Sequence, residues 1–167
     1  PWALLTLSSA RQAGETALAL IALKALHGIP LRVLLTLGAT DAGDEIGPVS
    51  KNVHIEMFVP HSEVLKRAAL SLSHAGHGIV SKSLYYGVPM VLVPWGRDQP
   101  GVAARAETLG VAKVVRRDEL SEEKLRAAIL AVLNDPRYSD QAKVAAKRLS
   151  ASIVSRSIAA LVGVLMG

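Results

Sequence analysis

The chain has 167 residues, of which half are hydrophobic and only 4% aromatic, and this predicts one folded domain with a sizeable core rather than a disordered chain. It contains no cysteine, which excludes a disulfide framework and a thiolate metal site and fits a cytoplasmic protein. The net charge of +5 favours anionic ligands such as phosphates. The lysines and arginines are scattered and the aromatic side chains are few, which argues against nucleic acid as the partner.

The sequence predicts no membrane span. The first residues lack the basic stretch that opens a secretion signal. The longest apolar stretch, Ile153 to Met166, is too short to cross a bilayer and contains Arg156. We therefore expect a cytoplasmic protein, with the last apolar stretch folded as a packed terminal helix.

Short runs of leucine and β-branched residues predict six strands. In chain order they are Leu4–Leu7, Leu31–Thr36, Val53–Glu56, Ala69–Leu72, Met90–Val93 and Val111–Val115.

Helical segments follow most of these strands. The predicted helices are Glu15–His27, Ser62–Ala68, Gly78–Tyr86, Asp98–Leu109, Ser121–Leu133, Gln141–Ser150 and Ile153–Met166. Ser121 is followed by two glutamates, which is typical of a capped helix start. A loop rich in glycine and aspartate, residues 38–48, separates the second strand from the third.

Alternation of strands and helices predicts an α/β fold, a Rossmann-like parallel sheet flanked by helices on both faces. The last two helices have no strand between them, so we expect them to pack outside the sheet. In such sheets ligands bind beyond the carboxyl ends of the strands, where loops enter helices. The residues that follow the strands are therefore the candidates for a site.

The most informative of these loops is Ser73-His74-Ala75-Gly76-His77-Gly78-Ile79-Val80. Two glycines permit a tight turn into a helix, whose first N–H groups and positive dipole suit a phosphate. His74 and His77 would add hydrogen-bond donors. From this loop alone, an ordinary strand–helix turn that needs glycine for its backbone is an equal alternative.

A dinucleotide-binding site is a competing interpretation of the same loop. Gly76 and Gly78 match the first two glycines of the fingerprint G-x-G-x-x-G, but the third position is Ser81. The next strand ends at Val93-Pro94 without the acid that holds a ribose. These departures argue against an NAD enzyme.

A carboxylate and an amide follow the next strand. Asp98 and Gln99 open a helix, and such a pair suits bidentate hydrogen bonding to neighbouring sugar hydroxyls. An aspartate that caps its own helix is the alternative, and for an isolated Asp98 it is the favoured one.

Four segments together resemble the donor-binding signature of the family 1 glycosyltransferases, which have the GT-B fold. That signature runs through aromatic-x-Pro-Gln/His, His-x-Gly-x-Gly/Asn-Ser/Thr-x-x-Glu, Gly-x-Pro and Pro-x-x-x-Asp-Gln. The matching segments here are Phe58-Val59-Pro60-His61, His74-Ala75-Gly76-His77-Gly78, Gly87-Val88-Pro89 and Pro94-Trp95-Gly96-Arg97-Asp98-Gln99. Their order, spacing and strand–loop–helix context agree with the family. The resemblance implies that residues 1–167 are one nucleotide-sugar-binding domain, the C-terminal half of a GT-B fold.

The resemblance also implies roles for the base-binding and sugar-binding residues. Phe58 would support or stack on the base, and the backbone at Pro60 and His61 would pair with the base edge. Core packing is the alternative for Phe58. Asp98 and Gln99 would bind hydroxyls of the donor's hexose.

The diphosphate would be held by His74 and by the turn from Gly76 to Val80, with His74 stabilising the leaving group. Ser8 and Ser9 match the small polar loop that approaches the phosphates from the other side, and a plain loop role is equally compatible with them.

Two residues depart from the family's pattern. Ile79 stands where the family has a hydroxyl residue, so one hydrogen bond to phosphate is missing. Lys82 stands where the family has the glutamate that holds ribose hydroxyls, and an ammonium donates but does not accept. Lys82 would instead reach a phosphate or point to solvent. These departures put the donor's affinity in question more than the fold.

The resemblance implies a function for the longer protein. The family transfers a sugar from a nucleotide diphosphate donor to an acceptor with inversion, and a histidine base lies in an amino-terminal acceptor domain that this chain lacks. We therefore expect a UDP- or dTDP-sugar as donor, a small hydrophobic acceptor, and no cofactor or metal. A lipid-linked acceptor is an alternative, and so are a non-catalytic nucleotide-binding module and a nucleotide-sugar epimerase.

Overall fold

A six-stranded parallel sheet forms the centre of the molecule. The computed structural model describes residues 1–7, 14–39 and 46–166, with side chains up to residue 152. The strands are β1 (Trp2–Thr6), β2 (Arg32–Thr36), β3 (Val53–Glu56), β4 (Ala68–Ser73), β5 (Met90–Leu92) and β6 (Ala112–Val114). They lie in the order β3-β2-β1-β4-β5-β6, and every neighbouring pair is parallel. This arrangement confirms the predicted parallel sheet.

The central strands are buried on both faces. Leu4 and Leu5 are both inaccessible to solvent, yet they belong to different hydrophobic clusters. Successive side chains of a strand point to opposite faces, so a strand covered on both sides needs an uninterrupted apolar run. This is why the strands were recognisable from leucine-rich runs.

Helices cover the two faces. They are α1 (Glu15–Leu26), α2 (His61–Leu65), α3 (His77–Tyr85), α4 (Gln99–Thr108), α5 (Glu122–Asn134) and α6 (Pro136–Met166), with one short 3-10 turn at Arg117–Glu119. Helix α1 packs against α5, and α3 packs against α6. The predicted cap of α5 is present, since the backbone N–H of Lys124 donates to Ser121 Oγ over 3.2 Å.

The chain end differs from the sequence prediction. Two helices, Gln141–Ser150 and Ile153–Met166, were expected, and this was wrong because α6 runs continuously from Pro136 to Met166. The residues between the predicted helices, Ala151 and Ser152, include no glycine or proline that would end a helix. The main contacts of α6 are with α3 and α5, which agrees with the expected position outside the sheet.

Gly87 fixes the end of α3 against α6. Its φ of 68° is left-handed, and the N–H groups of Gly87 and Val88 donate to the carbonyls of Leu84 and Ser83. These two bonds close the last turn of the helix in a Schellman motif. A Cβ at Gly87 would lie 3.3 Å from Lys143 Cα, so the backbone of α6 passes directly over this turn.

Candidate functional site

The strand order places a crevice at the carboxyl ends of β1 and β4. The chain proceeds outward from β1 to β2 and β3, then crosses back to β4 and proceeds outward in the other direction. Loops on either side of such a switch point diverge and leave room for a ligand. The predicted site residues that the structure describes follow β3, β4 and β5 and therefore lie at this edge.

A cleft of about 250 Å³ opens there. Its lining brings together residues of two of the predicted segments and Lys82. They are Phe58, Val59, Pro60 and His61 from the first segment, and His74, Gly76, Gly78 and Ile79 from and directly after the second. A larger depression of about 760 Å³, between Gly110 and Gln141, contains no predicted site residue. Another depression of about 520 Å³, beside Trp2, has Val59 as its one predicted site residue. Size therefore does not identify the site, whereas the position at the switch point does.

The amino-terminal end of α3 faces this cleft. Gly76 is the N-cap residue, and no side chain among the described residues caps the helix, so within this part of the chain its first N–H groups are open to an external acceptor. His77 and Gly78 are exposed, and a Cβ at Gly78 would meet nothing within 4 Å. Open space in front of free N–H groups and a positive dipole suits an anion.

The His74 ring forms one wall of the cleft. His74 is only 7% exposed, and its Nδ1 has no hydrogen-bond partner within the part of the chain that the structure describes. Burial lowers the pKa of His74, and the nearby carboxylates of Glu15 and Asp98 partly oppose this. A buried ring nitrogen without a hydrogen-bond partner is costly unless something binds to it, so His74 is well placed to contact a ligand.

Glycine is required beside this ring. A Cβ at position 76 would lie 2.8 Å from His74 Nε2, so any larger residue would displace the imidazole. The preceding residue, Ala75, has a φ of 65°, a strained value for a residue other than glycine. Its N–H donates to Ser73 Oγ, which helps to hold the turn.

The His61 side chain lies over the carboxyl ends of β1 and β2. Its Nε2 is 3.1 Å from Thr36 Oγ1 and 3.5 Å from Thr6 Oγ1. Thr36 Oγ1 donates to Thr6 Oγ1 over 2.8 Å, and Thr6 Oγ1 donates to the carbonyl of Leu7. Both hydroxyl protons are thus used, so Nε2 of His61 donates and its Nδ1 is the acceptor.

The two residues that depart from the family pattern, Lys82 and Ile79, lie in different surroundings. Lys82 is exposed and lines the cleft, and its charge adds to burial in lowering the pKa of His61. Ile79 is 8% exposed and packs in a cluster with Leu4 and Leu65, so its side chain belongs to the core. The side chain of Ile79 carries no hydroxyl, so hydrogen bonding to a ligand falls to its backbone.

The Phe58 side chain lies outside the hydrophobic core. It is 80% exposed at the rim of the cleft, which excludes the alternative of core packing. A large aromatic side chain in this position has a free face on which a planar base would stack.

The loop after β5 presents Asp98 and buries Gln99. Asp98 is exposed and makes no side-chain cap, so the expected alternative of a capping aspartate does not hold. Gln99 is 3% exposed, and its Oε1 accepts from the backbone N–H groups of Trp95 at 2.8 Å and Gly96 at 3.1 Å. The predicted role of Gln99 in sugar binding remains a prediction, since this oxygen is engaged within the loop.

The sequence did not predict a role for several residues of this region, and two predicted residues are not described by the structure. Ser8 and Ser9 fall outside the described residues. Thr6 and Thr36 end strands whose apolar pattern gave no sign of the bonds to His61. Arg117 stacks over Trp95 with its Cζ 4.7 Å from the ring centre, and it follows β6, beyond the motif. In the described ranges, no group of three or more acidic or histidine side chains is arranged to hold a metal ion.

Comparison with known proteins identifies the family. Residues 21–162 match the family described as "Erythromycin biosynthesis protein CIII-like, C-terminal domain". The chain belongs to this family. The match confirms the resemblance to family 1 glycosyltransferases and agrees with the arrangement at the switch point.

Curated relatives are named as glycosyltransferases. UDP-glycosyltransferase 2 of Phaeomoniella chlamydospora is 34% identical over 82% of this chain and 31% of its own length. The uncharacterized UDP-glucosyltransferase YojK of Bacillus subtilis (strain 168) is 35% identical over 77% of this chain and 32% of its own. The chain thus spans about a third of the length of these relatives.

Solved structures show the same fold. The calicheamicin glycosyltransferase CalG4 superposes with a TM-score of 0.83 over 98% of this chain and 42% of its own, at 24% identity. Glycosyltransferase VinC, solved in complex with DTDP, gives a TM-score of 0.76 over 88% of this chain and 37% of its own, at 29% identity. The fold is that of the C-terminal half of GT-B glycosyltransferases. In the described part of the chain, no helix combines the length and the hydrophobicity that crossing a membrane requires.

Proposed function

We propose that this chain is the donor-binding domain of an inverting, metal-independent glycosyltransferase that takes its sugar from UDP- or dTDP-sugars. One observation carries the proposal. The uncapped N-terminus of α3 and the unpartnered, buried His74 face the same cleft at the β1–β4 switch point.

Each part of a nucleotide-sugar has a suitable surface around this cleft. The exposed Phe58 suits the base, and the N–H groups at the start of α3 suit the diphosphate. The carboxylate of Asp98, which makes no capping bond to its own helix, suits sugar hydroxyls. The carboxylate of Asp98 lies near enough to His74 to oppose, in part, the lowering of the imidazole pKa by burial. Sugar and diphosphate would therefore occupy adjacent positions.

The chemistry assigned to this domain is stabilisation of the leaving group. When the glycosidic bond to the donor breaks, negative charge builds up on the diphosphate. Fixed N–H dipoles in a partly dehydrated cleft stabilise such charge without reorganisation. With the exposed Lys82 nearby, they would replace the divalent cation that other nucleotide-sugar enzymes use. The acceptor domain of the same enzyme would supply the base that activates the acceptor, a small molecule.

Titration calorimetry tests the proposal on the chain itself. We expect heat with UDP and dTDP at millimolar concentration or below, unchanged by magnesium or by EDTA, and no transfer of sugar. A nucleotide-sugar should bind more tightly than its bare nucleotide, and Asp98→Ala should remove that difference, about 1–3 kcal/mol for a lost bond to a buried partner. Absence of heat with both nucleotides would indicate a module that has lost donor binding. A strict need for magnesium would contradict the metal-free mechanism.

A further inference from the structure

The loop that presents Asp98 has a backbone that must be held in place. Arg97 has a φ of 58°, in the left-handed region, where a side chain with a Cβ is strained. Such a conformation persists only when surrounding contacts determine it. The position of the Asp98 carboxylate depends on these contacts, because Asp98 follows Arg97 directly.

Gln99 provides one of them from inside the loop. Its buried Oε1 accepts from Trp95 and Gly96, and its own N–H donates to the carbonyl of Gly96 over 3.2 Å. These bonds fix the beginning of the loop. The Trp95 ring packs against the main hydrophobic cluster on one side, and these backbone bonds do not orient it.

Arg117 provides the second contact, from outside the motif. Its guanidinium lies over the Trp95 ring at 4.7 Å from the centre. At Gly14, a Cβ would lie 3.4 Å from Trp95 Cζ2 and 3.5 Å from an Arg117 Nη. Trp95 is therefore enclosed between the residue that opens α1 and the 3-10 turn after β6.

We propose that Arg117 is a positioning residue for the donor sugar: by stacking on Trp95, it holds the strained loop that presents Asp98. The inference rests on the proposed function, since it assigns Asp98 to the sugar. A planar guanidinium suits this task because it stacks on an indole face and keeps its charge at any relevant pH. The 3-10 turn Arg117–Glu119 thereby becomes part of the donor site, although none of its residues lines the cleft.

The neighbouring residue gives a matched control. Arg116 carries the same charge and is exposed like Arg117, but it forms a bidentate pair with Asp118 instead of contacting an aromatic ring. Arg117→Met and Arg116→Met therefore change the net charge equally at almost the same place. Only the first removes the stacking on Trp95.

The experiment measures the affinity of both variants for a nucleotide-sugar and for the matching bare nucleotide diphosphate. We expect Arg117→Met to weaken the nucleotide-sugar about fivefold, as loss of one cation–π contact predicts, and the bare nucleotide less than twofold. Arg116→Met should change neither. Equal weakening of both ligands by Arg117→Met, no weakening, or the same loss in Arg116→Met would overturn the proposal.

A second measurement needs no ligand and separates this inference from the proposed function. Trp95 is the only tryptophan left after Trp2→Phe. In that background, Arg117→Met should make the Trp95 fluorescence more accessible to acrylamide, and Arg116→Met should not. Unchanged quenching in Arg117→Met would contradict the stacking. A native chain that binds no nucleotide would refute the proposed function without altering this result.

Discussion

Lys82 is the residue in the cleft whose charge departs most from the family pattern. It lies one helical turn after Gly78, and its charge acts on His61, to whose backbone we assign the base in our proposal. An ammonium near the nucleoside offers no acceptor to a ribose 2′-hydroxyl. The chain should therefore have lost the basis for preferring a ribonucleotide.

We predict that dTDP binds at least as well as UDP, and that Lys82→Glu shifts the ratio of the two dissociation constants toward UDP. The expected change is about 1 kcal/mol, for one regained hydrogen-bonding pair. Competition between the two nucleotides on the native and variant chains measures it. Lys113→Glu, an equal charge reversal at an exposed position of β6, is the control. An unchanged ratio in Lys82→Glu would mean that Lys82 takes no part in donor choice.

The sequence predicted which residues surround the cleft, whereas the roles of their side chains stay predictions. Phe58, His74, Gly76 and Gly78 lie together as expected. The amide of Gln99 was assigned to the sugar, yet its Oε1 turns inward to the backbone of its own loop. That contact depends on the left-handed backbone at Arg97, and no local pattern announces such a conformation in a residue other than glycine.

At the scale of elements, the junction of α3 and α6 is the contact most sensitive to a small change. Gly87 needs a positive φ and also lies under the backbone of α6. Gly28, at the end of α1, needs a positive φ as well, but a Cβ there would meet nothing within 4 Å. The two glycines thus separate backbone strain from steric contact.

We predict that Gly28→Ala lowers the free energy of unfolding by about 1 kcal/mol, the cost of left-handed backbone for alanine. Gly87→Ala should cost about 1–3 kcal/mol more, because overpacking against the α6 backbone is added. Urea denaturation followed by circular dichroism compares the two variants. Equal losses would show that α6 does not press on the end of α3.

The element boundaries show where sequence patterns are sufficient. Strands covered on both faces need continuous apolar runs, and such runs mark β1, β2, β4 and β5. The edge strand β3 instead alternates partly buried and exposed residues. The predicted helix Ser62–Ala68 extended too far, since α2 ends at Leu65 and β4 begins at Ala68. Alanine and leucine around this boundary suit either structure, and pairing of Ala68 with Trp2 of β1 decides it.

At the scale of the whole molecule, the buried His74 and the partly buried His61 link stability to pH. Burial is the main cause that lowers the pKa of both His61 and His74 below the ordinary value of 6.5. The unfolded chain therefore takes up protons near pH 6.5 that the folded chain does not. The contribution of these two histidines to stability is fully present above pH 6.5. It declines as the pH falls toward their lowered pKa values in the folded chain.

We predict that the free energy of unfolding decreases between pH 7 and pH 5.5, a range in which most carboxylates remain ionised. The double variant His61→Gln, His74→Gln should show a flatter dependence over the same range. Urea denaturation at several pH values gives both slopes. If the unfolding free energy of the double variant depends on pH as steeply as that of the native chain, other groups cause the pH dependence.

The central claim, that a nucleotide diphosphate binds at the β1–β4 switch point, is tested most directly by mapping the contact residue by residue. Titration of the ¹⁵N-labelled chain with UDP or dTDP, followed by amide NMR, gives this map. The largest shifts should fall on the amides of His77, Gly78 and Ile79 at the start of α3, and on Val59 and His61. Shifts that cluster instead around the larger depression between Gly110 and Gln141 would contradict the assignment, as would none at millimolar nucleotide.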